Sequence, residues 1–250
     1  MIARRAAALA AAAIAIAGCG GSGKPTLTVS AAASLQKAFT TYGAQFSQAT
    51  AHFSFAGSDT LAAQIEQGVK PDVFASANTK LPEALYAKGL VEKPVVFTAN
   101  KLVLAVPAGS TKINTLADVA KPGVTLVIGT PTVPVGDYTG KALARLTPGQ
   151  RTAIEANVKD REPDVTGIVG KLAEGAADAG FLYATDVKAA GGKLKAIDLP
   201  ASLQPTVAYG VAVVKGASHS PQAKQFINGL LSGQGRSDLL ADGFLPPPPG

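Results

Sequence analysis

Two long apolar stretches, KLVLAV at residues 101–106 and TVAYGVAVV at residues 206–214, decide how this chain of 250 residues is organised. Both are dominated by valine, leucine and alanine, which is typical of strands buried on both faces of a sheet. Because they bracket a middle block, they indicate two lobes joined by two crossing strands. By pattern alone, a single continuous α/β domain fits equally well.

The predicted boundaries follow from the prolines that end or precede these stretches. We place hinges near Val106-Pro107 and Pro205-Thr206. The first lobe then comprises residues 26–106 plus 206–250, and the second comprises residues 107–205.

Outward from the two stretches, short β-rich runs alternate with amphipathic helices. A strand at 27–29 precedes a helix that begins at Ser34 and carries an apolar face, and the run DVFA at 72–75 precedes another helix. The helix face is formed by Leu35, Ala38, Phe39, Tyr42 and Phe46. Such alternation predicts an α/β fold with mixed, mostly parallel sheets.

The N-terminus is typical of a targeting segment. Arg4 and Arg5 precede an uninterrupted apolar run from Ala6 to Ala17, which is too short to span a membrane and has the length of the apolar region within a signal sequence. The run ends at Ile16-Ala17-Gly18-Cys19, which resembles a bacterial lipobox. We therefore predict a signal peptide at 1–18, acylation of Cys19 and a tether at 19–25, so that the protein is extracytoplasmic and anchored to the cell membrane. A plain secretory signal with an incidental cysteine is the alternative.

Composition excludes several classes of function. The single Cys excludes an internal disulfide framework and a multi-cysteine zinc site, and His52 and His219 stand far apart. The net charge of +6 is diffuse, without a basic run interleaved with aromatic residues, so we expect no nucleic-acid partner. P-loop, GxGxxG, HExxH and GxSxG motifs are absent from the sequence, which argues against an enzyme.

Three junctions between loops and helices are candidate binding elements. Small residues lead into Ser34 in AAASL at 31–35 and into Ser58 in FAGSDTL at 55–61, and a turn precedes Val165 in EPDV at 162–165. Serine is a common helix cap, so capping alone explains any one junction. Several together indicate an anion site, because helix N-termini offer free N–H groups and the positive end of a dipole.

The chemistry of these junctions restricts the ligand. None of them carries Arg, Lys or His, so an anion would be bound by neutral donors. A site built from donors suits a fully deprotonated dianion, whereas hydrogen phosphate needs an acceptor for its proton. Asp59 is the one nearby acceptor, and we expect its side chain to face solvent.

At these residues the chain resembles the periplasmic molybdate-binding proteins of ABC transporters over roughly 27–244. The motifs that carry the resemblance, in order, are AAASL at 31–35, FAGSDTLAAQIEQG at 55–68, PDVFASA at 71–77, VPVGDY at 133–138, EPDVTG at 162–167, GFLYATDV at 180–187 and AYGVAVVKG at 208–216. The resemblance implies a two-lobed, type II periplasmic-binding-protein fold with a two-strand hinge and a ligand cleft between the lobes.

The resemblance also implies which residues hold the oxyanion. Ser34 and Ser58 would each donate a hydroxyl and a backbone N–H, Val135 and Val165 would donate backbone N–H groups, and Tyr183 would donate its phenol hydroxyl. Val135 and Tyr183 rest on the resemblance alone. Val135 is bulkier than the alanine expected there, and Asp59 stands where a hydroxyl is common.

The prediction is therefore a solute-binding lipoprotein that delivers molybdate or tungstate to a membrane permease, as a monomer without a cofactor or a free metal cation. Selection over sulfate would come from cavity size. A binding protein for sulfate, phosphate or an organic anion is the main alternative. A secreted serine esterase and a structural lipoprotein without a ligand are further alternatives.

Overall fold

The computed structural model describes residues 23–249, so the predicted signal peptide and Cys19 lie outside the described residues. In the described range the strands are β1 (Thr26–Ala32), β2 (Thr50–Ala56), β3 (Val73–Ser76), β4 (Val95–Asn100), β5 (Leu102–Pro107), β6 (Leu126–Gly129), β7 (Val158–Glu162), β8 (Ala179–Tyr183), β9 (Leu194–Asp198) and β10 (Val207–Val213). The α-helices are α1 (Gln36–Gln45), α2 (Ser58–Glu66), α3 (Lys80–Ala87), α4 (Pro134–Leu143), α5 (Pro148–Ala156), α6 (Val165–Ala173), α7 (Ala184–Ala189), α8 (Ser220–Ser232) and α9 (Gln234–Asp242). Short 3-10 helices occupy Ala33–Leu35, Leu116–Ala120 and Ala201–Leu203.

The strands form two mixed sheets with matching topology. The first sheet has the order β2-β1-β3-β10-β4, and the second has the order β7-β6-β8-β5-β9. In the first sheet β1 pairs in parallel with β2 and β3, while β10 runs antiparallel to both of its neighbours. In the second sheet β6 pairs in parallel with β7 and β8, while β5 runs antiparallel to both of its neighbours. Four strands of each sheet thus share one direction, and the fifth is a crossing strand that runs against them.

The point at which the chain first changes sheet differs from the predicted one. The sequence analysis assigned residues 101–106 to the first lobe, but β5 belongs to the second sheet and β4 is the edge strand of the first. The change of sheet therefore falls at Lys101. The edge strand was missed because its buried half, residues 97–100, includes the polar Thr98 and Asn100 and so does not form an apolar run in the sequence. The division into two lobes, as units, stays a prediction.

The core beside the first sheet is aromatic. Phe39 on α1 meets Phe226 on α8 edge to face, with ring centroids 5.6 Å apart. The predicted apolar face of α1 is buried along its whole length. Where α2 ends, Gly68 adopts φ +99°, a left-handed conformation that glycine accepts without steric cost. The 3-10 helix before α1 and the first residue of α2 carry Ser34 and Ser58 to the candidate site.

Candidate functional site

A narrow cavity of ≈ 20 Å³ lies where segments from both sheets meet. Its lining is Ala32, Ala33, Ser34, Ala56, Gly57, Ser58 and Ala77 from the side of the first sheet, and Val133, Pro134, Val135, Asp164, Val165 and Tyr183 from the side of the second. The structure thus brings all five predicted site residues to one cavity. Within the described residues, no Lys, Arg or His lines it.

The topology explains why these segments converge. β1, β2, β6, β7 and β8 each lead at their carboxyl ends into a helix or a 3-10 turn that borders the cavity. Ligands of open α/β sheets bind in the crevice outside the carboxyl ends of the strands, where the strand order reverses. The first N–H groups of each helix have no intrahelical acceptor, so the cavity is bordered by free donors and positive dipole ends.

Ser58 is held as a hydrogen-bond donor by the strand beside it. Its side chain is 1% exposed, and its Oγ accepts a hydrogen bond from the Ala77 backbone N–H at 3.1 Å. Because that N–H occupies the oxygen from behind, the Ser58 hydroxyl hydrogen is free to point into the cavity.

The two valines present backbone rather than side chain. Val135 is the second residue of α4 and Val165 is the first of α6, so their N–H groups precede the first intrahelical bonds. The bulk of Val135 is accommodated by Gly129, since a Cβ at Gly129 would lie 2.7 Å from the Val135 Cγ1. Val135 can therefore stand where alanine was expected, because the glycine at the end of β6 leaves space for its side chain.

The Tyr183 hydroxyl is a buried donor without an acceptor. Tyr183 is 1% exposed, and its hydroxyl finds no hydrogen-bond partner among the described residues. Burial raises the pKa of this phenol well above its ordinary value, so the group stays protonated. A buried polar group left unpaired costs about 1–3 kcal/mol, and Tyr183 lines the cavity, so its hydroxyl is available to donate to a ligand there.

The carboxylates near the cavity are engaged elsewhere. Asp164 caps α6, with its Oδ1 accepting from the Thr166 N–H at 2.7 Å and from the Gly167 N–H at 3.4 Å. Asp59 does not line the cavity, yet it is not simply turned to solvent as predicted. Its Oδ2 accepts from the Thr132 Oγ1 at 2.8 Å, which joins α2 to the β6–α4 loop on the opposite side.

The two sides also touch through backbone at Gly57. A Cβ added to Gly57 would lie 2.4 Å from the Pro163 carbonyl oxygen, closer than any real Cβ contact. Sequence reasoning noted Gly57 only as a small residue and did not identify its partner. The 106 positions that separate the two residues leave no local signal of this contact.

Asp186 is the buried carboxyl of the region. It lies in the first turn of α7 and lines a wider neighbouring cavity of ≈ 490 Å³, which Ser34 and Val165 also line. Burial raises its pKa to about 7, a hydrogen bond from the Tyr183 backbone N–H opposes that rise, and the charge of Asp164 adds to it. The sequence analysis did not single out this residue.

Metal-ligand clusters and membrane-spanning helices are both absent from the described range. Residues 23–249 contain no group of three or more His, Cys, Asp and Glu side chains arranged to hold a metal ion. None of the helices described is both long and apolar enough to cross a membrane.

Comparison with known proteins connects this geometry to a family. The family model described as bacterial extracellular solute-binding protein matches residues 27–245. The molybdate-binding protein ModA of Mycobacterium tuberculosis is 35% identical over 231 residues, which cover 90% of this chain and 86% of that protein. The sequence-based resemblance is thereby confirmed.

Two solved structures share the fold. The periplasmic molybdate-binding protein of Azotobacter vinelandii matches with a TM-score of 0.80 and 22% identity, covering 89% of this chain and 100% of that one. The sulfate-binding protein SubI of Mycobacterium tuberculosis matches with a TM-score of 0.78 and 18% identity, covering 89% and 87%. At these identities the likeness concerns the fold alone, and it confirms the predicted α/β binding-protein architecture.

Proposed function

This chain belongs to the bacterial extracellular solute-binding protein family, and from that premise we propose that its cavity captures molybdate or tungstate for an ABC importer. As a member of this family it is a transport protein that binds its solute outside the cytoplasm, and not an enzyme. The 35% identity to a molybdate-binding protein over 90% of the chain supports the choice of ligand.

The observation that carries the proposal is a cavity lined by hydrogen-bond donors and, among the described residues, by no Lys, Arg or His. The one carboxylate of that lining, Asp164, already accepts hydrogen bonds from backbone N–H groups of α6. We assign Ser34 and Ser58 as hydroxyl and N–H donors, Val135 and Val165 as N–H donors, and Tyr183 as a phenol donor to the oxyanion. Hydrogen bonds to a charged acceptor are worth about 1.5–3 kcal/mol each, so a few of them can offset the cost of taking the anion out of water. The unpaired Tyr183 hydroxyl supports this assignment, because an oxyanion would supply its acceptor.

Two properties of the proposal rest on the sequence alone. We propose that Cys19 is acylated, which would hold the protein at the membrane beside its permease, and that the protein acts as a monomer. Acyl chains contribute about 0.8 kcal/mol per buried CH₂ group, so more than one chain gives a firm anchor. The intact mass of membrane-extracted protein tests the first statement, and light scattering of the soluble form tests the second.

Sulfate is the second candidate, because the shared fold includes a sulfate-binding protein and the same neutral donors could hold any deprotonated dianion. Molybdate and tungstate are larger than sulfate, so we propose that cavity size provides the selection.

A thermal-shift series on the chain from residue 20 onward tests the function. Molybdate, tungstate, sulfate and phosphate are compared at equal ionic strength, each in large excess. A ligand at 1,000 times its Kd adds about 4 kcal/mol of stability, which raises Tm by roughly 10 °C in a chain of this size. A rise with molybdate and tungstate alone supports the proposal, a rise with sulfate or phosphate moves the function to the second class, and no rise with any of them overturns oxyanion binding.

A further inference from the structure

A hydrogen-bond chain stands behind Ser34, outside the cavity lining. The Tyr209 hydroxyl on β10 lies 2.9 Å from the Ser34 Oγ, and the Tyr209 side chain is fully buried. Either hydroxyl of such a pair can be the donor. The direction of this bond matters, because it decides whether Ser34 keeps its hydrogen for a ligand.

Asn100 settles the direction. The Lys101 backbone N–H donates to the Asn100 Oδ1 at 2.9 Å, which fixes the oxygen side of the amide. The Asn100 Nδ2 therefore faces the Thr185 Oγ1 at 2.8 Å and the Tyr209 hydroxyl oxygen at 3.4 Å. An amide NH₂ group only donates, so the Tyr209 oxygen accepts from it.

The Tyr209 hydroxyl hydrogen then has a single destination. Burial raises the pKa of Tyr209 well above its ordinary value, so the phenol stays protonated. Among the described residues its hydroxyl bonds only to Asn100 and Ser34, and Asn100 offers no acceptor on that side. Because a buried hydrogen-bond donor rarely goes unpaired, Tyr209 donates to the Ser34 Oγ.

The hydroxyl groups of Ser34 and Ser58 are thus held in the same way. Each serine oxygen accepts a hydrogen bond from behind, from the Tyr209 O–H in one case and from the Ala77 N–H in the other. Each hydroxyl hydrogen is left to point into the cavity. A serine held in this way offers no acceptor to a protonated oxyanion such as hydrogen phosphate.

We propose that Tyr209 and Asn100 are positioning residues that orient the Ser34 hydroxyl hydrogen toward the bound oxyanion. The inference rests on the proposed function and adds two residues that do not touch the ligand. Both stand near the crossing of the chain between the sheets, since Asn100 ends β4 and Tyr209 belongs to the returning strand β10.

A double-mutant cycle with Ser34 tests the inference. Molybdate affinity is measured by titration calorimetry for the wild type, Ser34→Ala, Tyr209→Phe and the double variant, all from residue 20 onward. Tyr209→Phe is expected to weaken binding about 2- to 10-fold, the range of one ordinary hydrogen bond, and Ser34→Ala about 10- to 100-fold. The double variant is expected to match Ser34→Ala within twofold, because Tyr209 acts only through Ser34.

Tyr138→Phe is the matched control. Its buried hydroxyl donates to the Ala208 carbonyl oxygen at 3.4 Å, and its ring packs on the Tyr183 ring. The hydroxyl is not bonded to Ser34. Its molybdate affinity should stay within twofold of the wild type. If Tyr209→Phe fails to fold, Asn100→Ala takes its place in the same cycle.

Failure of the positioning role and failure of the proposed function give different results. If the wild type binds molybdate and Tyr209→Phe binds it equally well, the positioning role is overturned and the proposed function stays intact. The same conclusion follows if the affinity loss of the double variant equals the product of the two single losses. A wild type that binds none of the oxyanions overturns the proposed function and this inference together.

Discussion

At the scale of single residues, the site depends on polar groups whose partners are assigned one by one. The oxygens of Ser34 and Ser58 are each occupied from behind, and the carboxylate of Asp164 is used to cap α6. Of the side-chain donors proposed from the described residues, the Tyr183 hydroxyl is the one that is buried without a partner. An acceptor oxygen supplied by a bound oxyanion would remove the cost of burying this hydroxyl unpaired.

Replacing Tyr183 by Phe should change ligand affinity and intrinsic stability in different directions. Removing an unpaired buried hydroxyl leaves the free energy of unfolding without ligand equal or higher, by up to about 2 kcal/mol. Molybdate affinity should fall about 10- to 100-fold, because a hydrogen bond to a charged acceptor is lost. Urea unfolding and calorimetry on the same samples measure both quantities, and unchanged affinity would remove Tyr183 from the site.

At the scale of elements, the site is assembled from strand-to-helix junctions that approach one another closely. The start of α2 and the turn before α6 meet at Gly57 and Pro163 with no space for a side chain. Gly57 has φ −56° and ψ 135°, which any residue adopts, so the requirement for glycine comes from the contact and not from the backbone.

Gly57→Ala should therefore weaken binding by holding the two junctions apart. The added Cβ would lie 2.4 Å from the Pro163 oxygen and 2.9 Å from the Asp59 Oδ1. Overpacking of this kind costs about 1–3 kcal/mol, which corresponds to a loss of molybdate affinity of roughly 5- to 100-fold. Calorimetry against Gly140→Ala provides the control, because a Cβ at Gly140 on α4 meets nothing within 4 Å. The control should bind normally and gain up to about 1 kcal/mol of stability, and an equal loss in both variants would contradict the argument.

At the scale of the whole molecule, two sheets of matching topology are joined by the crossings from β4 to β5 and from β9 to β10. Contacts between the two sides of the cavity include the hydrogen bond from Thr132 to Asp59 and the contact at Gly57. Such an arrangement suits hinge closure around a ligand, in which interactions from both sides stabilise the closed conformation.

Global stability should also depend on pH through Asp186. Its pKa is raised to about 7 in the folded protein, against about 3.9 for an unfolded aspartate. The folded state thus binds the proton more tightly, and the resulting stability is present in full below the unfolded value and lost as pH rises through 7. Between the two pKa values, each pH unit lowers the free energy of unfolding by about 1.4 kcal/mol. Moving from pH 5 to pH 8 should therefore lower it by about 3 kcal/mol.

Asp186→Asn isolates this effect, because asparagine keeps an acceptor for the Tyr183 N–H but does not titrate. Urea unfolding at pH 5 and pH 8 should show a smaller decline for this variant than for the wild type. Asp198→Asn makes the same substitution at a side chain that is 69% exposed, and it should retain the wild-type decline. Identical pH dependence in all three proteins would mean that Asp186 is ionised in the folded state throughout.

Much of the fold followed from patterns within short segments. The apolar face of α1 and the crossing strand β10 are each encoded by neighbouring residues, and each is where it was predicted. Two of the edge strands, β4 and β7, were missed. The buried half of β4 includes polar residues, and β7 is charged and mostly exposed, so neither forms a continuous apolar run in the sequence.

The α/β class and the junctions at Ser34, Ser58 and Val165 could be identified without a structure, since small residues before a helix N-terminus form a local pattern. Val135 and Tyr183 came only through resemblance to a family. The tertiary structure alone decided which groups stand behind and across from those junctions: Tyr209 lies 175 positions from Ser34, and Thr132 lies 73 from Asp59. Such pairs form when the sheet topology brings distant strand ends together. Because the two partners are far apart in the sequence and meet only after folding, no local sequence pattern indicates the hydrogen bond between them.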